Sequence, residues 1–190
     1  MRTLVIFFVF LVQSVFAQEV MDLDSLQAIY SNSKDLRIRT ETAIQLSKEY
    51  NRTNIDSNAK YLDISKQLAE KLKDDRLTAS YHLNQGNYFK NTGQYIKGVT
   101  AYENAISNYE KLKDTLGLAN SYNSLGLIYK MQGGDNRKVK AFSEKGLLYE
   151  NRALELYQAA RDTVGLLRVY SNLGIIHRDL KDFKPLHNIL

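Results

Sequence analysis

From Asp35 onward, apolar residues recur three and four positions apart, and the strict alternation of a half-buried strand is absent. That spacing predicts a chain built of helices. Ile44, Leu46 and Tyr50 mark a first helix that breaks near Asn51–Asn54; Ala59, Leu62, Leu68 and Leu72 mark a second. The clearest pair follows, with helices predicted over Leu77–Lys90 and Tyr95–Leu112 and a turn at Asn91-Thr92-Gly93. Gly93 is placed to end the first of them, because glycine takes a left-handed backbone without steric penalty. Asp74, Asp114 and Asp162 recur where a carboxylate would cap the amides opening a helix and meet its positive end. Ahead of all this, Gln18–Lys34 is a polar lead-in with one short amphipathic piece, Leu23–Tyr30.

The pattern repeats. Lys71–Gly93 aligns without a gap on Lys111–Gly133, pairing Ala79 with Ala119, Gly86 with Gly126, Lys90 with Lys130 and Gly93 with Gly133. A third copy begins at Arg161 and carries Gly174; subtracting forty from Tyr95–Asp114 reaches Ile55–Asp74, a weaker first copy. Self-similarity at this period signals a solenoid. Helix pairs of this kind cannot bury their apolar faces alone, so they must stack. Matching Ala153 to Ala105 puts eight extra residues between Gly133 and Glu150, read as a helix longer by two turns, a longer solvated loop, or a basic projection bearing Arg137, Lys138, Lys140 and Lys145 that touches a partner. The third copy offers a first helix, Val164–Leu180, but only the run to Leu190 for its second. Val169, Leu173 and Ile176 are therefore expected to lack their partner; roughly 400 Å² of wet apolar surface would cost on the order of 10 kcal/mol. The sequence thus reads as a fragment, a truncated frame or half of a pair, with self-association through the open C-terminal end as one outcome.

Composition narrows the setting. Met1–Gln18 has Arg2, an unbroken apolar run Leu4–Val12, and Val15-Phe16-Ala17 at a cleavage position. This is the pattern of a signal peptide spanning 1–17, too short for a membrane span, and it predicts export to the periplasm or the exterior. No other stretch could cross a bilayer. The chain has no cysteine, which excludes disulfides and thiolate metal sites. The net charge of +5, of which the leader carries only Arg2, is too mild and too scattered to predict nucleic-acid binding. The three histidines are far apart, no HExxH pair or glycine-rich phosphate loop occurs, and acids and bases are spread over helix surfaces. No catalytic residue, metal site or cofactor is predicted, and the chain is not read as an enzyme. Tyrosines at 81, 88, 95, 102 and 109 recur every seven residues, but Asn91–Gln94 and Gly98 interrupt them, so they read as repeat packing.

The repeat resembles the tetratricopeptide repeat, in an extended variant of about forty residues. Counting Ala79, Ala119 and Leu167 as position 1, positions 7 and 8 hold Gln85-Gly86, Leu125-Gly126 and Leu173-Gly174; position 11 holds Phe89, Tyr129 and His177; Gly98, Tyr102 and Ala105 fall at 20, 24 and 27. The expected proline near position 32 is replaced by Glu110. The resemblance implies an all-α, right-handed superhelical solenoid of antiparallel helix pairs over 35–190, after the 18–34 lead-in. It also implies a concave face lined by positions 2, 5, 9 and 12. There it points to Asn87, Lys90, Asn120, Asn123, Lys130, Arg168 and Arg178 as a peptide groove, with one cation per repeat at position 12. Cations beside amides suit a peptide carboxylate or acidic side chains. Leu83 stands where the family's two-carboxylate clamp would want lysine. The reading is an exported scaffold that binds a protein or peptide. The alternative is the sensory part of a membrane signalling receptor, either a histidine kinase or a DNA-binding regulator, whose output domain is absent.

Overall fold

A computed structural model describes residues 22–132 and 139–182. Residues 1–21, which include the stretch read above as a signal peptide, part of the insertion (133–138) and the segment expected to begin a last helix (183–190) lie outside the described residues. Eight helices run in order: α1 (Leu23–Asn32), α2 (Leu36–Tyr50), α3 (Ile55–Leu72), α4 (Asp75–Asn91), α5 (Tyr95–Leu112), α6 (Thr115–Gln132), α7 (Val139–Ala160) and α8 (Thr163–Asp182). None is long and apolar enough to cross a membrane.

The punctuation is chemical. Asp74 accepts from Leu77 N, Asp114 from Gly117 N, and Asp162 from Val164 N and Gly165 N, so all three aspartates cap as the sequence predicts. Gly93 ends its turn at φ +73°. The junctions from one pair to the next use a cation instead: Lys73, Lys113 and Arg161 take left-handed backbones at φ 53°, 53° and 55°. Each stands immediately before a capping aspartate, so two residues reverse the chain.

α2–α3, α4–α5 and α6–α7 form antiparallel pairs, and α8 begins a fourth unit. The first helices form one layer, with α2 touching α4, α4 touching α6 and α6 touching α8. Among the described residues, the second helices α3, α5 and α7 pack on the first helices beside them, and their backbones do not closely approach one another. The first helices are therefore crowded together on the inside of a curve, and the second helices are splayed on its outside. α1 covers the open side of α2, where Leu26, Ala43, Leu46 and Tyr61 share a core and Tyr61 stacks on Tyr50 with ring centroids 5.7 Å apart.

The side chains repeat as faithfully as the backbone. The rings of Tyr109 and Tyr157 lie against Gly117 and Gly165, each closing one pair onto the next. A methyl group on Gly98 would stand 2.5 Å from Ile128 Cδ1, and one on Gly146 would stand 3.4 Å from Ile176 Cδ1. Gly86 lies under Tyr102, and Gly126 lies under Glu150.

Two expectations change. The insertion lengthens α7 by one turn within the described residues, since helix begins at Val139 and the residue matching Tyr95 is Ser143. Lys140 there pairs with Glu144 at 3.9 Å, and the Lys145 ammonium lies 5.2 Å from the centre of the Tyr129 ring. The residues expected to be bare at the open end are also different. Val169, Leu173 and Ile176 are buried. They occupy positions 3, 7 and 10, which face the preceding pair through α7; the face that no other described residue covers is the one a third of a turn away, Leu167, Tyr170, Gly174 and His177. His177, placed by register at an aromatic core position, is accordingly exposed, while His82 is half-buried beside Tyr81.

Candidate peptide-binding trough

The inside of the curve encloses a trough of about 690 Å³, walled by α2, α4, α6 and the start of α8. Its floor follows from helical register. Positions 2, 5, 9 and 12 of α4 (Ser80, Leu83, Asn87, Lys90) and positions 2, 5 and 9 of α6 (Asn120, Asn123, Leu127) all line it, and α8 adds Arg168. Five of the seven residues picked out from the sequence therefore come together: Asn87, Lys90, Asn120, Asn123 and Arg168. Lys130 and Arg178 do not line it. Lys130 is half-buried and acts on the Glu150 carboxylate; Arg178 is exposed and lies 3.7 Å from its neighbour Asp179. The one-cation-per-repeat row is thus not a single row along the trough.

Three features had not been marked. α2 supplies a wall of Ile44, Gln45 and Lys48, and Asp162 places one carboxylate at the α8 end. Second, tyrosines of the outer helices reach through and fix the trough's polar groups. Tyr102 Oη donates to Asn87 Oδ1 at 2.8 Å, Tyr157 Oη donates to Asn120 Oδ1 at 2.7 Å, and Tyr109 Oη lies 3.2 Å from Ser80 Oγ. Each bond fixes the orientation of its amide, so that Asn87 and Asn120 can offer their N–H donors to a ligand. Third, Asn123 donates to Glu150 Oε2 at 2.8 Å, and Asn172 of α8 donates to Oε1 at 2.9 Å. Glu150 is fully buried, and that burial pushes its carboxyl up to about 7, against the two amides and Lys130, which favour the charged form. The clue was present in sequence: the alignment of Ala153 on Ala105 puts Glu150 on Tyr102, an acid where the register wants an aromatic.

The electrostatics favour an anion. Lys48, Lys90 and Arg168 outnumber Asp162 along the lining. Lys90 forms no ion pair among the described residues; burial, and then Arg52, hold its ammonium below the usual lysine range. The negative charge of an incoming carboxylate would favour the ammonium and offset both effects. Among the described residues no group of histidine and carboxylate side chains is arranged to hold a metal ion.

No protein-family model matches the sequence, and no curated protein matches it. Among solved structures the chain is similar to the crystal structure of BtubC (BKLC) from P. vanneervenii, with a TM-score of 0.51 and 16% identity over 85% of this chain and 72% of that one. At that identity the likeness speaks to architecture alone. The chain is an all-helical solenoid.

Proposed function

We propose that this chain is an exported scaffold of the tetratricopeptide type that holds an extended, acidic segment of a protein partner in its trough. The observation that carries the reading is Lys90, a half-buried ammonium in a concave channel with no carboxylate paired to it among the described residues. Around it, Asn87 and Asn120 present donors for the carbonyls of an extended backbone, and Leu83 and Leu127 give its side chains apolar footing. Lys90 and Arg168 come from α4 and α8, so a ligand that meets both must run along the trough across three units.

The test is an array of extended peptides that differ in acidic content, read by fluorescence anisotropy against the wild-type chain and Lys90→Glu/Arg168→Glu. Acidic peptides should be selected, should weaken as salt rises, and should lose at least roughly tenfold affinity in the double variant, since charge-assisted bonds contribute about 1.5–3 kcal/mol each. Circular dichroism of the double variant should be unchanged. A chain that shows no preference for acidic peptides, or a double variant that binds as well as wild type, would sink the reading.

A further inference from the structure

Three asparagines of the trough are each held by a side chain that reaches through from an outer helix. Tyr102 of α5 donates to Asn87 Oδ1 and Tyr157 of α7 donates to Asn120 Oδ1. Asn123 is held the other way round, with its Nδ2 donating to Glu150 Oε2 at 2.8 Å. Burial raises both phenols above their usual range, so they remain donors at any physiological pH. A charged carboxylate can only accept, whereas a neutral one can also donate. Of the three amides, Asn123 is therefore the one whose partner can exchange one role for the other.

Glu150 is placed for that exchange. It is fully buried, Asn172 of α8 donates to its second oxygen at 2.9 Å, and it forms no ion pair among the described residues. Around it, Lys130 of α6 favours the carboxylate, and Tyr157 lies further along α7. From α8 it meets the neutral amide of Asn172, while Arg168 acts on Tyr157 and His177 and Arg178 are exposed. Burial outweighs the groups that favour the charge and pushes the carboxyl up to about 7.

A neutral Glu150 has one O–H to give, and that O–H needs an amide oxygen to receive it. Both neighbouring amides donate in the charged state, so one of them must turn over. When Asn123 turns, its oxygen takes the proton of Glu150 and its N–H groups face the trough it lines. The role of Glu150 then matches that of the two tyrosines. An acidic ligand gains twice, from the added donors and from the loss of a negative charge behind them. It must therefore bind this form more tightly and draw the proton onto Glu150 in return. Resting on the trough reading above, we infer that Glu150 is a positioning residue: its charge sets the orientation of the Asn123 amide, and an acidic ligand binds with uptake of a proton at Glu150.

The first measurement needs no ligand. Side-chain amide resonances of nitrogen-15-labelled wild type and Glu150→Gln are followed from pH 5 to 8, and Asn123 should respond to pH in wild type alone. The second is fluorescence anisotropy of an aspartate- and glutamate-rich peptide at fixed salt. Between pH 5.5 and 8 the affinity of wild type should fall at least about fivefold more than that of Glu150→Gln, a usual size for coupling between two sites. Lys90, whose ammonium burial holds low, weakens both proteins alike as pH rises, and the comparison removes it. An Asn123 amide that ignores pH, an Asn172 amide that responds alone, or affinity profiles that run parallel would each overturn the inference. Lys90→Glu/Arg168→Glu separates the two readings, since it should lose the peptide and keep the pH response of Asn123. Were no acidic peptide to bind wild type, the trough reading and the proton uptake would fall together, and the ligand-free experiment would still decide whether Glu150 orients Asn123.

Discussion

Replacing Glu150 by glutamine should change how the fold responds to pH while leaving its shape intact. The buried carboxyl lies between Asn123 and Asn172, and burial raises it from an ordinary 4.5 to about 7. A folded acid that holds its proton more tightly than the unfolded one makes stability fall as pH rises between those two values. At about 1.4 kcal/mol per pH unit, the loss from this group is on the order of 3 kcal/mol by pH 7, and it stays constant above that. Glutamine has the size of the protonated acid and, with one asparagine turned over, can bond to both neighbours. Urea unfolding followed at 222 nm at pH 5, 6, 7 and 8 should therefore give near-equal stabilities at pH 5, and a variant ahead of wild type by about 3 kcal/mol at pH 8. The comparison must be between the two proteins, not along one curve. His82, which burial holds below its usual range, favours folding as pH rises toward 6.5, opposite in sign and common to both. The Asp22 and Asp74 carboxyls, lowered first by their backbone hydrogen bonds to Ser25 and Leu77, act only at more acidic pH. Stability curves for wild type and Glu150→Gln that run parallel from pH 5 to 8 would refute the account.

Alanine at three glycines of equal register should give opposite signs. Gly86→Ala drives a methyl into the Tyr102 ring and should cost roughly 1–3 kcal/mol, whereas Gly174→Ala meets open space and should gain up to about 1 kcal/mol from helix propensity. Gly126→Ala, against the Glu150 side chain, should also destabilise; thermal melts of the three decide it. Tyr157→Phe removes the hydroxyl that fixes Asn120 and should cost about 1 kcal/mol in chemical denaturation, with any acidic-peptide affinity falling as the amide loses its orientation.

Much of this architecture was legible in sequence, because the repeat constrains it several times over. Capping aspartates, the Gly93 turn and the α5 boundaries all follow from local chemistry that recurs at fixed intervals. The trough was legible only in part. Register put Asn87, Lys90, Asn120, Asn123 and Arg168 on one surface, but register describes a helix in isolation, and the curve of the array decides which turns converge. Lys130 and Arg178 fall beyond that convergence, and the wall from α2 was invisible because its unit matches the others weakly. The bare side of α8 was misassigned by one face. Positions 7 and 8 are adjacent in sequence, yet Leu173 points to the preceding pair and Gly174 to a side that no other described residue covers. Glu150 was readable from the alignment that placed Ala153, but one acid at an aromatic position means little until two asparagines on different helices are seen to meet it.

The wide spacing of the α3, α5 and α7 backbones has a mechanical consequence. The inner layer is in continuous contact and resists compression, while the outer helices are tied only through their neighbours. Bending that widens the outer gaps breaks no interface between them, so the array is compliant in one direction and stiff in the other. The two-residue junctions at Lys73, Lys113 and Arg161 are the points where such rotation would concentrate, and small angles at each would add along the chain. The molecule should behave as a short spring that widens and narrows along its inner face.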